Sequence, residues 1–158
     1  MTGAHDRARV SLLFQIFRTN QLNARLVSQA LEPTGLRGDD YAVYSYLLHG
    51  PMTLTQLADG TGMPLTTVAG YVKRFEARGH IIKEPNPADG RSHLLSLTDA
   101  CREWILDAAV IFTKTVSHLH TVMQSQGVDV NELVGQLQHL QQLLEQALDE
   151  VNNPEAPV

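Results

Sequence analysis

A mainly α-helical chain with one small β-hairpin is expected here, and three observations carry that expectation. Apolar residues recur at helical spacing through most of the 158 residues. Two β-prone segments, His80 to Lys83 and Ser92 to Leu97, flank the turn-rich run EPNPADGRS. Near the C-terminus, Val130, Leu133, Leu137, Leu140, Leu144, Ala147 and Val151 alternate steps of three and four, the spacing of a coiled-coil seam.

The first predicted helix covers residues 8 to 31. Val10, Leu13, Phe14, Phe17, Ala24, Val27 and Leu31 form one stripe, and Leu12, Ile16 and Leu26 lie beside it. A helix apolar on two sides needs two partners, so burial against its own domain and against a second subunit is expected. Pro33, Gly35 and Gly38 mark a turn, after which Asp39 or Asp40 can cap a helix reaching about His49. Its apolar positions are Tyr41, Val43, Tyr44, Leu47 and Leu48, and Gly50 and Pro51 end it.

Thr53 and Gln56 have capping-box spacing and open a short helix that buries Leu54, Leu57 and Ala58. Gly60 and Gly62 break it, and Pro64 suits the first turn of the next helix, which should stop at Gly79. At 100° per residue, Val68, Val72 and Phe75 fall on one face of that second helix, with Tyr71 at the margin. The opposite face carries Thr66, Gly70, Lys73 and Ala77, flanked by Thr67 and Arg74. Small residues let a backbone approach another surface, while hydroxyls and cations donate to phosphates and base edges. An ordinary solvated helix could carry the same face, and the hairpin that follows is what favours a nucleic-acid reading. Two short helices, a tight connection and a hairpin amount to a helix-turn-helix with a wing. An arginine at the hairpin tip, Arg91, can reach an adjacent minor groove.

From Asp89 to Thr98 the chain reads DGRSHLLSLT, which resembles the D-x-R-x-x-x-L-x-L-T wing pattern of the MarR family of transcriptional regulators. The preceding TTVAGYVKRFEARGHI is similar to that family's recognition helix and its exit. The resemblance implies a homodimer on a pseudo-palindromic operator in double-stranded DNA, with a repressor role. It places Thr66, Thr67, Gly70, Lys73 and Arg74 in the major groove, Arg91 in the minor groove, and Asp89 in support of Arg91. It also implies a small aromatic effector held between the first helix, the helix around Tyr44 and the helix after the wing, which singles out Phe14, Phe17, Tyr44 and Trp104. Cys101 stands where the family pattern L-T-x-x-G has glycine, and Gly70 where many relatives carry a larger polar or basic residue.

After the wing, Thr98 can cap a helix of about 28 residues, roughly 42 Å long at 1.5 Å per residue. Its stripe is Cys101, Trp104, Ile105, Ala108, Ile111, Phe112, Val116, Leu119 and Met123. Gly127 interrupts, and Asp129 with Glu132 recaps the last helix with its heptad. The expected organisation is an N-terminal dimerisation helix (1–36), a winged helix-turn-helix domain (37–98), and C-terminal linker and dimerisation helices (99–158).

Composition bounds the function. No stretch reaches membrane-spanning length, the N-terminus lacks the order of a signal peptide, and the single cysteine fits a reducing compartment, so a cytoplasmic protein without membrane contact is expected. The net charge of −5 is unusual for a DNA-binding chain. Residues 1–36 hold four Arg against two acidic groups, 37–98 six basic against six acidic, and 99–158 two basic against nine acidic. A neutral head predicts modest non-specific affinity with strong salt sensitivity. His118 and His120 point about 200° apart on a helix and no strong metal-ligand spacing occurs. No phosphate loop, nucleophile elbow or Ser-His-Asp order stands out. Neither enzyme activity nor cofactor nor metal is expected. Two rivals stay open: a winged-helix module that binds protein through its acidic helices, and a metal-responsive regulator using distant His49, His80 or His93.

Overall fold

The computed structural model describes residues 12–153; the predicted stripe position Val10 lies outside them. The described residues form, in order, α1 (Leu12–Leu31), a 3-10 turn (Glu32–Thr34), α2 (Gly38–Leu47), α3 (Leu54–Thr61), α4 (Leu65–Ala77), β1 (Ile81–Pro85), β2 (His93–Leu97), α5 (Asp99–Ser125) and α6 (Val130–Asn152). The chain divides into two compact units, Met1–Thr113 and Lys114–Val158, so the division falls within α5.

The first unit is built on one core. Val43, Tyr44 and Leu47 of α2, Leu57 of α3, Val68 and Phe75 of α4, and Ile105 of α5 are buried together with Leu31 from the end of α1. The expected stripe of α4 is the one buried, because its period of three and four brings Val68, Val72 and Phe75 to one side. The Thr53–Gln56 capping box forms, each side chain meeting the other residue's backbone N–H at 3.2 and 2.8 Å.

Three expectations need correction. Neither Asp39 nor Asp40 caps α2: the helix starts earlier, at Gly38, with Arg37 as N-cap, and Asp40 turns into the core. Gly38 and Gly60 are not turn residues. A Cβ at Gly38 would come within 3.0 Å of Val27 Cγ1, so glycine allows α1 to approach α2, and a Cβ at Gly60 would come within 2.6 Å of the Tyr46 ring. Gly62, at φ +66°, alone makes the α3–α4 turn. The Thr98 hydroxyl donates to the Gly79 carbonyl at 3.3 Å, tying the wing's exit to the end of α4.

The hairpin is antiparallel, with Ile81 opposite Leu97 and Pro85 opposite His93. Glu84 and Pro85, expected in the turn, extend β1; proline is tolerated at the end of an edge strand. Met52 adds a bridge to Leu95, exchanging hydrogen bonds of 2.8 and 3.1 Å, and so ties the α2–α3 connection to the wing.

In the second unit, Gly127 at φ +73° ends α5. Asp129 then caps α6 by accepting the N–H groups of Asn131 and Glu132 at 2.8 and 3.1 Å. No residue of α6 is fully buried, and the heptad positions Leu137, Leu144 and Val151 are 48%, 37% and 77% exposed. Among the described residues, no helix is long and apolar enough to cross a membrane.

Candidate nucleic-acid interface

The outward face of α4 is the candidate surface. Pro64, at φ −54°, opens the helix without a side-chain cap, and its carbonyl accepts the N–H groups of Thr67 and Val68. Thr66, Thr67, Gly70, Lys73 and Arg74 are all exposed. Within the chain, a Cβ at Gly70 would meet nothing within 4 Å. Glycine inside a helix costs about 1 kcal/mol relative to alanine, and here no internal packing requires it.

The inward face is fixed by aromatic packing. Phe75 stacks on Tyr44 with ring centroids 3.8 Å apart. The Tyr44 hydroxyl lies 2.7 Å from His80 Nδ1, and Trp104 meets both rings edge-on. Burial pushes the Tyr44 phenol up to about 12, with the Arg78 guanidinium opposing the rise. Burial, reinforced by the Arg78 charge, lowers the His80 pKa below its ordinary value.

Two cations, Arg74 of α4 and Arg78 at its C-cap, are held from behind. Asp40, 3% exposed, accepts from Arg74 Nη2 at 2.7 Å and from Arg78 Nη1 at 3.1 Å, one carboxylate oxygen for each. Arg74 also lies over the Tyr71 ring, 4.4 Å from its centroid. These are the ion pairs within 4.0 Å among the described residues. The sequence reading missed this role of Asp40. A carboxylate followed at helical spacing by the core residues Val43, Tyr44 and Leu47 was the available signal, but its partners are 34 and 38 residues away.

At the wing tip, Asn86 Oδ1 accepts the Ala88 N–H and Asp89 Oδ1 accepts the Arg91 N–H, both at 3.0 Å. Asp89 therefore meets Arg91 through its backbone, as an Asx turn, and the Arg91 side chain is left exposed.

Of the aromatic set named for an effector, Tyr44 and Trp104 meet edge-on, with ring centroids 6.2 Å apart. Tyr44 is fully buried and Trp104 packs against the core, whereas Phe14 and Phe17 are 46% and 57% exposed on α1. Phe75 and His80 pack beside Tyr44 as well. A cleft of about 770 Å³ opens elsewhere, between the second half of α1 and the start of α2, lined by Asn20, Asn23, Val27, Ser28, Glu32 and Arg37 among others. Among the described residues, no group of three or more His, Cys, Asp or Glu could hold a metal ion. Cys101 is buried, which raises its thiol pKa.

Comparison with known proteins adds to this geometry. The model of the MarR family matches residues 34–92. A curated relative, the HTH-type transcriptional repressor NicR of Pseudomonas putida, is 31% identical over 71 residues, which are 45% of this chain and 44% of that one. The chain thus matches less than half of that relative's length. A solved structure of a probable transcriptional regulator from Pseudomonas aeruginosa is 26% identical, with a TM-score of 0.67 over 85% of this chain and 98% of that chain. The transcriptional regulator MOSR of M. tuberculosis, solved in complex with DNA, shares the fold at a TM-score of 0.73 and 19% identity, over 86% of this chain and 97% of that chain. The matched segment holds α2, α3, α4 and the wing up to Ser92; over it the chain is similar to the MarR family, and the chain has the winged helix-turn-helix fold of these solved structures.

Proposed function

We propose that this protein is a DNA-binding transcriptional regulator, acting as a homodimeric repressor on a pseudo-palindromic operator. The observation that carries the reading is the outward face of α4. It has a glycine with no internal packing reason at its centre, threonines on its first turn and cations beyond. In this reading Thr66, Thr67, Gly70, Lys73 and Arg74 face the major groove. Arg91, exposed at a tip made rigid by the Asn86 and Asp89 turns, enters the minor groove.

Residues 1–36 and 99–158 serve as dimerisation elements around the DNA-binding domain at 37–98. Large apolar side chains left exposed on α1, among them Leu13 at 67% and Phe17 at 57%, support a second copy as their cover, and the exposed heptad of α6 supports it separately. Two-fold symmetry then requires half-sites about 10 base pairs apart, one helical turn. The repressor role is supported by the curated relative. A small aromatic effector would release the operator by binding one arrangement of the two heads better than the other. Phe14 and Phe17 are the members of the predicted aromatic set that such a ligand can reach.

Fluorescence anisotropy with duplex DNA from the gene's own upstream region, against a scrambled duplex at two salt concentrations, tests the reading. Specific binding that weakens with salt and saturates at two protomers per site is expected. Equal, weak binding to the operator candidate, the scrambled duplex and every duplex recovered from a random pool would instead favour a protein-interaction module.

A further inference from the structure

Arg74 has the position of a base reader but not the freedom of one. Its Nη2 donates to a carboxylate that is itself buried, and its plane lies over the Tyr71 ring, so one edge and one face of the guanidinium are committed inside the protein. Reading guanine requires two parallel donors directed at one base edge. To supply them Arg74 would have to leave Asp40, whose remaining partner would be Arg78 at 3.1 Å. Stripping a partner from a buried carboxylate is strongly unfavourable. The Arg74 side chain is nevertheless 49% exposed, so its outer edge can still meet a phosphate, a contact that tolerates one donor and any sequence.

We infer that Asp40 is a positioning residue that holds Arg74 out of base reading and turns it into a phosphate grip, leaving sequence discrimination on α4 to Thr66, Thr67 and Lys73. This inference rests on the DNA-binding reading. It has an electrostatic corollary. Asp40 offsets one of the two charges it holds, which lowers the indiscriminate attraction of the head for DNA. A head of balanced charge that still grips phosphate at a fixed point suits a protein that must leave the wrong sequences quickly.

The test compares the full-length wild type with Arg74→Ala, Asp40→Asn and Asp40→Glu. Preferred sequences are selected from a random duplex pool, followed by salt titrations of binding to the selected and scrambled duplexes. For Arg74→Ala the expected result is a loss of roughly threefold to tenfold, similar on both duplexes, with unchanged preference at every base position, as for a phosphate contact. Loss of preference at one or two positions would overturn the inference. Asp40→Asn is expected to alter base preference, as Arg74 turns to a base edge, and to steepen the salt dependence by up to about one unit of log–log slope, as Arg78 is released to a phosphate. Asp40→Glu should restore both properties. A folded Asp40→Asn protein with a lowered melting temperature but wild-type preference and slope would reduce Asp40 to a structural tether and overturn the inference. If Asp40→Asn does not fold, as circular dichroism would show, the Arg74→Ala profile decides alone. Wild type that selects no sequence at all would sink the DNA reading itself, and this is distinguishable because no variant enters that result.

Discussion

The phenolic oxygen of Tyr44 on α2 lies 2.7 Å from Nδ1 of His80, the residue that leads from α4 into the wing. The pair sits where α2, α4 and α5 converge, between the stacked Phe75 ring and the edge of Trp104.

Acid and alkali should each weaken the fold through this pair. His80 has a depressed pKa in the folded chain, so the unfolded chain binds its proton first. Its contribution is fully present above the ordinary histidine value of about 6.5 and is lost as pH falls from there through the folded pKa. Tyr44 is the converse on the alkaline side. With its pKa raised from 10.0 to about 12, stability is retained below pH 10 and lost between those values. Urea midpoints should therefore fall from pH 7.5 to 5 and from pH 9.5 to 11.5. His80→Gln should flatten the acid limb, and Tyr44→Phe the alkaline one, at a cost of about 1 kcal/mol for the hydrogen bond at neutral pH.

Gly70→Ala should separate stability from function. Nothing lies within 4 Å of the added methyl group, so the melt should show a gain of about 1 kcal/mol from helix propensity alone. DNA affinity should drop several-fold in the same protein, because the methyl group keeps α4 from approaching the groove floor. A more stable variant with wild-type affinity would mean that close approach at Gly70 is not used.

Gly60 and Tyr46 should behave as a coupled pair. A Cβ at Gly60 would fall 2.6 Å from Tyr46 Cε1, and Tyr46, 39% exposed, can yield only by giving up its packing on α3. Gly60→Ala alone should be neutral to destabilising. With Tyr46→Ala it should recover about 1 kcal/mol of helix propensity. A double-mutant cycle in urea would expose the coupling as non-additivity above about 0.5 kcal/mol.

Arg91→Ala should leave the melting curve unchanged, since the wing turn is held by the backbone N–H of residue 91 and the side chains of Asn86 and Asp89. Operator affinity should fall at least several-fold while dimerisation, read by sedimentation, stays intact. Unaltered affinity on every duplex would remove Arg91 from the interface.

Much of this fold was legible in the order of residues because its signals are local. A capping box is closed by Thr53 and Gln56 within three positions, the buried side of α4 is set by a repeat of three and four, and the wing turn is closed by asparagine and aspartate reaching two residues ahead. The outward face of α4 could be named for the same reason, as the complement of Val68, Val72 and Phe75. Roles that depend on a distant partner were not legible. Asp40 looked like a helix cap and proved to hold two arginines 34 and 38 residues away. Gly60 looked like a helix breaker and proved to make room for Tyr46. Tyr44 was expected on an apolar helix face, and its stacking on Phe75 and hydrogen bond to His80 join it to residues 31 and 36 positions away. Helical period, caps and turns follow from bond geometry within a few residues, whereas the partner of a buried charge or ring depends on which elements pack face to face. That is settled when the core closes and every buried polar group must find its hydrogen bond.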